Sequence, residues 1–179
     1  MVIRPDQEPK VLIPQAKIRK RVEELGNQIN QDYEGKEIVA VCVLKGSFIF
    51  FSDLIRNIDL PLSCEFLGLS SYGNETRSSG EVKVTLDINE PLENKHVLIV
   101  EDIVDSGLTL QYIKNSLQTR NPASLKIATL LFKPEALVID SKIDYVGFQI
   151  NNEFVVGYGL DYAQKYRGLP HIAYFENEH

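Results

Sequence analysis

Apolar runs of strand length alternate with helical patterns through the middle of the chain. Residues 38–44 read IVAVCVL, residues 97–100 read VLIV, and residues 125–132 read LKIATLLF. Strands that are covered on both faces are apolar without alternation, as in parallel sheets. Because the segments FIFFSDLIRNI and LTLQYIKNSLQ between these runs have helical patterns, the sequence predicts a doubly wound α/β fold with a mainly parallel sheet.

The two ends of the chain are expected to lie beside this sheet. Ile18, Val22, Leu25 and Ile29 recur at helical spacing, which predicts an amphipathic helix over residues 15–31. DYVGFQI and EFVVGYGL, near the carboxyl terminus, are typical of short strands in a small cap. At 179 residues the chain has the size of one domain. We expect a single domain, 1–179, with a core over about 35–140 and a cap from about 1–15 and 150–179.

Charge and hydropathy exclude several classes of partner. There are 19 Lys+Arg and 25 Asp+Glu residues, a net charge of −6, which argues against sequence-independent nucleic-acid binding because that binding depends on Lys and Arg. No apolar run approaches the roughly 20 residues of a membrane span. The two cysteines form no CxxC pattern and the amino terminus has no apolar leader pattern, so we expect a reducing, cytoplasmic location.

Two adjacent acidic residues, Glu101 and Asp102, follow the apolar run VLIV. We expect them at the carboxyl end of a central strand, where open α/β sheets bind ligands. Crowding two carboxylates is costly unless a cation or a hydrogen-bond donor binds between them. A ribose 2′,3′-diol with a magnesium ion close by would meet that need.

The next residues favour a phosphate site. Asp105, Ser106, Gly107 and Thr109 form a turn of mostly small residues that leads into a helix, and backbone N–H groups at such a helix start bind anions. A diol site followed by a phosphate site indicates a ribose 5-phosphate. An acidic surface turn between strand and helix is the plain structural alternative.

Two catalytic alternatives and two nucleotide-binding motifs fit this sequence less well. The DSG triplet is also typical of aspartic proteases, which need two such aspartates in an all-β frame. A haloacid-dehalogenase-type phosphatase needs a second Asp two residues after the first, whereas Gly107 stands at that position. Neither GxGxxG nor GxxxxGK[ST] occurs, so dinucleotide and P-loop sites lack their glycines.

Four segments together resemble the type I phosphoribosyltransferases, and among them the hypoxanthine-guanine phosphoribosyltransferases. VCVLKGSFIF resembles their pyrophosphate loop, SSYGNETRSSG their mobile catalytic loop, VLIVEDIVDSGLTL their phosphoribosyl-pyrophosphate motif, and FVVGYGLDYAQKYRGLP their purine-binding segment. The matches occur in family order from about residue 38 to 170. The resemblance implies purine salvage: transfer of 5-phosphoribosyl from phosphoribosyl pyrophosphate to N9 of hypoxanthine or guanine, giving IMP or GMP and pyrophosphate.

The resemblance also assigns roles around the phosphorylated sugar. It implies that Glu101 and Asp102 contact the ribose hydroxyls and Mg²⁺, with Asp161 as a further magnesium contact. Asp105 is the expected general base at N7 of the purine. The 5′-phosphate is expected to bind residues of the turn and the helix start: Asp105, Ser106, Gly107, Leu108 and Thr109.

Other roles implied by the resemblance concern the leaving group, the loop and the base. Lys45, Gly46 and Arg167 are expected to bind pyrophosphate, with a Leu44–Lys45 peptide that can be cis. Ser71 and Tyr72 are the catalytic-loop residues expected to close over the reaction centre. The expected purine contacts are Lys133 at the 6-oxo group, Phe154 by stacking, and Val155 and Leu160 around the base edge.

One rival function uses the same fold. A non-catalytic regulator could sense phosphoribosyl pyrophosphate or nucleotides and bind DNA or RNA. The short segment before the first helix and the acidic charge balance argue against it, as do the LKGS segment and Asp105. The family further suggests a homodimer or homotetramer, whereas the letters do not decide between hypoxanthine, guanine and xanthine.

Overall fold

A six-stranded sheet forms the centre of the molecule. The computed structural model describes residues 7–71, 82–139 and 142–176, and the strand order of the sheet is β4-β3-β2-β5-β6-β7. Its strands are β2 (Ile38–Leu44), β3 (Leu62–Ser71), β4 (Val82–Leu86), β5 (His96–Val104), β6 (Ser124–Phe132) and β7 (Tyr145–Gln149). Every neighbouring pair is parallel except β3 and β4. The predicted doubly wound, mainly parallel sheet is therefore confirmed.

Helices cover both faces of this sheet. They are α1 (Gln15–Asp32), α2 (Phe48–Ile55) and α3 (Leu108–Gln118), with a short 3-10 helix at Pro134–Ala136. Alternate residues of β2 point to opposite faces, as strand geometry requires: Ala40 and Cys42 pack with α1 and α2, whereas Val39 and Val41 pack with α3. The uninterrupted apolar run at 38–44 thus reflects a strand buried on both sides.

The predicted first helix is confirmed, because its apolar stripe faces the core. Its four spaced apolar residues are at most 1% exposed, while the helix packs against α2 and β7. No helix in the described ranges is both long and apolar enough to cross a membrane.

The chain reverses its direction of winding between β2 and β5. The β2-α2-β3 unit runs toward one edge of the sheet and the β5-α3-β6 unit toward the other, so the two strands flank the switch point where ligands of open α/β sheets bind. Pairing of β2 with β5 ends at Cys42 and Val100, but β5 continues beside β6 to Val104. The acidic pair therefore lies inside β5, whereas the sequence predicted it at the carboxyl end of the strand. It begins where β5 loses its neighbour β2.

The prediction that DYVGFQI belongs to the cap is wrong. β7 extends the main sheet beside β6, so the sheet reaches Gln149, beyond the expected core boundary near residue 140. Helix α1 covers this strand, since the Arg21 guanidinium donates to the carbonyls of Val146 and Gly147 at 2.8 and 3.0 Å.

The cap itself is a three-stranded antiparallel sheet. It consists of β1 (Lys10–Ile13), β9 (Ile172–Tyr174) and β8 (Val155–Val156), in that order. These strands lie within the expected cap segments. The predicted strand EFVVGYGL is shorter than expected, because the residues after Val156 have positive φ, which a strand does not accommodate.

Candidate active site

A cavity of about 500 Å³ opens at the switch point, between the strand ends and the cap. It brings together residues that are distant in the sequence and that were predicted to bind different parts of the two substrates. The predicted residues that line it are Lys45, Gly46, Glu101, Asp102, Asp105, Thr109, Lys133, Phe154, Val155, Leu160, Asp161 and Arg167.

The acidic pair forms one wall of this cavity. Glu101 is only 7% exposed, and burial, reinforced by the charge of Asp102, raises its pKa well above the ordinary value. Burial also raises the pKa of Asp102 to about 6, although the backbone N–H of Ile103, 2.8 Å from its Oδ1, opposes that rise. Neither carboxylate has an ion-pair partner among the described residues. The pair is therefore costly to ionise without a ligand.

The predicted pyrophosphate loop lies against this pair. A Cβ atom at position 46 would fall 1.5 Å from Oδ2 of Asp102, so glycine is needed for the close approach. The Leu44–Lys45 peptide is cis. Ser47 is fully buried and its hydroxyl donates to the carbonyl of Val43 at 2.5 Å, which holds the loop where β2 passes into α2.

The predicted phosphate turn lines a second, smaller cavity of about 100 Å³ beside the first. Asp105, Ser106, Gly107 and Thr109 line it together with Glu101. Gly107 has φ +82 at the start of α3, a conformation that glycine adopts readily. The Leu108 side chain is 46% exposed and lines neither cavity, so any contact from this residue with a phosphate must come from its backbone.

The other end of the large cavity is suited to a planar base. Lys133 follows β6 and is 8% exposed, with Nζ 3.2 Å from Oδ2 of Asp105. Phe154 is 41% exposed and meets Tyr162 edge to face, with ring centroids 5.8 Å apart and planes at 86°. One cation and one exposed aromatic face thus border the same space.

Asp161 and Arg167, predicted separately, pair with each other. Oδ1 of Asp161 lies 2.7 Å from a guanidinium nitrogen of Arg167, and the same guanidinium donates to the carbonyl of Gly159 at 2.7 Å. The positive charge of Arg167 also counteracts the rise in the pKa of Asp102. This cationic group therefore faces the acidic wall across the cavity.

The predicted loop residues lie largely outside the described part of the chain. Ser71 ends β3, but its side chain and the whole of Tyr72 fall outside it, as do residues 73–80. Five lining residues were not predicted as site residues, namely Val43, Leu44, Leu69, Ser70 and Ile103. Extending the strand pattern past the acidic pair to Val104 would have identified Ile103.

Comparisons with known proteins agree with this geometry. A family model described as a phosphoribosyl transferase domain matches residues 13–163. The hypoxanthine-guanine phosphoribosyltransferase of Dictyostelium discoideum is 49% identical over 172 residues, covering 94% of this chain and 96% of that protein.

A bacterial relative and a solved structure extend the similarity. The enzyme of the same name from Bacillus subtilis is 49% identical, with 91% of each chain covered. A crystal structure of a hypoxanthine-guanine phosphoribosyltransferase from Bacillus anthracis is 49% identical and covers 93% of this chain and 99% of its own, with a TM-score of 0.89. The chain belongs to the phosphoribosyltransferase family.

Proposed function

We propose that this chain transfers the 5-phosphoribosyl group from phosphoribosyl pyrophosphate to N9 of hypoxanthine or guanine, with IMP or GMP and pyrophosphate as products. The observation that carries the proposal is that one cavity joins the acidic pair, the start of α3, Lys133 and Phe154. Its relatives bear the name of this purine-salvage activity. The cavity offers a separate chemical environment to each part of the two substrates.

The phosphorylated sugar is expected to bind at the switch point. The 5′-phosphate would lie at the start of α3, where backbone N–H groups are not used within the helix and attract an anion. The ribose hydroxyls would donate to the carboxylates of Glu101 and Asp102. Those hydrogen bonds favour the ionised carboxylates and so offset the burial that raises their pKa values.

Lys133 and Asp105 are expected to act on the purine together. Lys133 has three N–H donors, and one of them reaches Asp105. The others are available to a 6-oxo group, which accepts hydrogen bonds, but not to the 6-amino group of adenine, which donates them. Asp105 would take the proton from N7 as N9 forms its bond to the anomeric carbon. Phe154 offers its exposed ring for stacking on the base.

The leaving pyrophosphate would meet positive charge from the chain itself. Lys45 and Arg167 line the same cavity, and fixed cations at the point where negative charge develops lower the barrier. The predicted closure of Ser71 and Tyr72 would exclude water from the reacting carbon.

The carboxylates of the cavity suit Mg²⁺. No group of three or more His, Cys, Asp or Glu side chains within the described ranges could hold a metal by itself. Mg²⁺ normally binds through one or two carboxylates together with substrate phosphates and waters, which fits three of the carboxylates in the lining, those of Glu101, Asp102 and Asp161. Bound there with the substrate, Mg²⁺ would neutralise charge on the pyrophosphate. We also propose that the chain acts as a homodimer or homotetramer in the cytoplasm.

The test is nucleotide formation from hypoxanthine, guanine, xanthine and adenine, each with phosphoribosyl pyrophosphate and Mg²⁺. We expect IMP and GMP to form and AMP not to form, because Lys133 can only donate. A lack of turnover with every 6-oxopurine would reject the proposal. Light scattering of the same preparation measures the oligomeric state.

A further inference from the structure

Three successive residues of the cap have an unusual backbone conformation. The φ angles of Gly157, Tyr158 and Gly159 are +98°, +49° and +103°. Glycine tolerates positive φ, but for a tyrosine it is unfavourable and persists only where the surroundings fix it. The surroundings of Tyr158 therefore fix its backbone in this conformation.

The Tyr158 side chain is anchored in the body of the molecule and not in the cap. It is 6% exposed and belongs to the core shared with α1 and α2. Its hydroxyl donates to Oδ2 of Asp53 at 2.5 Å, while Arg56 pairs with the other oxygen of the same carboxylate. One cap residue is thus hydrogen-bonded to the last turn of α2.

Helix α2 continues directly from the predicted pyrophosphate loop. Asp53 lies in this helix, which begins at Phe48, immediately after Lys45, Gly46 and Ser47. The next cap residue meets the loop itself, since a Cβ atom on Gly159 would be 2.0 Å from the carbonyl oxygen of Gly46. Loop and helix therefore form one unit that contacts the cap segment at two points.

The same cap segment also holds Arg167. The backbone N–H of Gly159 donates to the carbonyl of Arg167 at 2.9 Å, and the Arg167 guanidinium returns a hydrogen bond of 2.7 Å to the Gly159 carbonyl. A displacement of Gly159 would accordingly move Arg167 relative to Lys45 and Gly46.

We propose that Tyr158 is a positioning residue: its hydrogen bond to Asp53 holds the cap segment 157–159 against the loop of Lys45 and Gly46, and so fixes both sides of the pyrophosphate site. This inference rests on the proposed function. It assigns to Tyr158 no contact with substrate. Lys133, at the base end of the cavity, is positioned by contacts outside this segment, because its backbone N–H donates to the carbonyl of Val104 and its Nζ donates to Asp105.

The first test compares Tyr158→Phe with a matched control. Tyr145→Phe removes another hydrogen bond from a tyrosine to a carboxylate, that of Tyr145 to Asp32 at 2.7 Å. Tyr145 begins β7 at the opposite end of the strands. Because a hydrogen bond to a charged group is lost, Tyr158→Phe should raise the KM for phosphoribosyl pyrophosphate about tenfold. Its KM for hypoxanthine should stay within about twofold of the wild type.

Tyr145→Phe and Tyr158→Phe should lower the melting temperature by similar amounts. Tyr145→Phe should, however, leave both KM values unchanged. Asp53→Asn keeps an oxygen that can accept from Tyr158 and should largely retain the wild-type KM, whereas Asp53→Ala should behave like Tyr158→Phe. Combining Tyr158→Phe with Asp53→Ala should add no further loss, because both changes break the same bond.

Hydrogen exchange supplies a readout that does not depend on turnover. The amides of Tyr158 and Gly159 donate to the carbonyls of Leu169 and Arg167, and they should exchange faster in Tyr158→Phe but not in Tyr145→Phe. Equal kinetics and equal exchange in these two variants would overturn the inference while the wild type still makes IMP. A wild type that makes no nucleotide would instead overturn the proposed function, and this inference with it.

Discussion

Replacing Gly159 by alanine should damage catalysis more than stability. At φ +103 any L residue is strained, by about 1–3 kcal/mol. The added Cβ would lie 2.0 Å from the Gly46 carbonyl oxygen, and contacts under 3.0 Å force a shift, so the loop and the cap must separate by at least 3.0 − 2.0 = 1.0 Å. A displacement of this size at a reacting site can cost about 10²-fold in rate.

Two other glycines separate the effect of backbone strain from the effect of the contact with Gly46. Gly35 has φ +72 with no atom within 4 Å of an added Cβ, and Gly168 has open space without positive φ. Gly35→Ala should therefore lose about 1–3 kcal/mol of stability and keep its activity, while Gly168→Ala should stay within about 0.5 kcal/mol of the wild type.

The assay for all three variants is kcat/KM for phosphoribosyl pyrophosphate, measured beside thermal unfolding. We expect only Gly159→Ala to lose about 10²-fold in kcat/KM. If Gly159→Ala loses no more activity than Gly35→Ala at equal stability, the contact between cap and loop does not position the substrate.

The remaining predictions concern the two ends of the cavity and the metal. Lys133→Gln should lower kcat/KM for hypoxanthine by about 10- to 100-fold. The control Lys126→Gln, which removes a lysine paired to Asp32 at 2.9 Å, should leave kcat/KM unchanged. Equal losses in the two variants would contradict the role of Lys133. Glu101→Gln should raise the melting temperature of the ligand-free, metal-free protein at pH 7.5 but not at pH 4. The pKa of Glu101 is higher in the folded state than in the unfolded state. The stability that its proton contributes is therefore complete below the unfolded-state pKa and is lost as the pH rises through the folded-state pKa. A melting temperature of Glu101→Gln at pH 7.5 that is equal to or lower than that of the wild type would refute this. Removal of Mg²⁺ with a chelator should abolish nucleotide formation and added Mg²⁺ should restore it, while unchanged turnover would exclude the magnesium requirement.

The centre of the main sheet was predictable because β2, β5 and β6 contain continuous apolar runs of strand length. A strand buried on both faces needs a continuous apolar run, and residues 38–44 can satisfy few other environments. The helix at 15–32 was equally readable from its spacing. By contrast, DYVGFQI is short and only partly apolar, and its place in the sheet depends on cover from α1 through Arg21. Such long-range contacts leave no local signal.

The residues of the phosphoribosyl-pyrophosphate motif were predictable from the sequence, whereas the contacts between side chains around the site were less so. The acidic pair and the glycine-containing turn have few chemical uses at a strand end, so Glu101, Asp102 and Asp105 could be proposed from the letters. The pairing of Asp161 with Arg167 and that of Tyr158 with Asp53 could not. Both depend on the positive-φ turns of the cap, and two of the residues that adopt them, Tyr158 and Tyr166, are tyrosines whose type does not indicate such a conformation.

A crystal structure of the protein with GMP and Mg²⁺ tests the central claim most directly. The account predicts ribose hydroxyls at Glu101 and Asp102, the 5′-phosphate at the start of α3, and the guanine ring against Phe154 with its 6-oxo group at Lys133. A nucleotide bound elsewhere, or bound here with its phosphate away from the turn at Ser106 and Gly107, would contradict it.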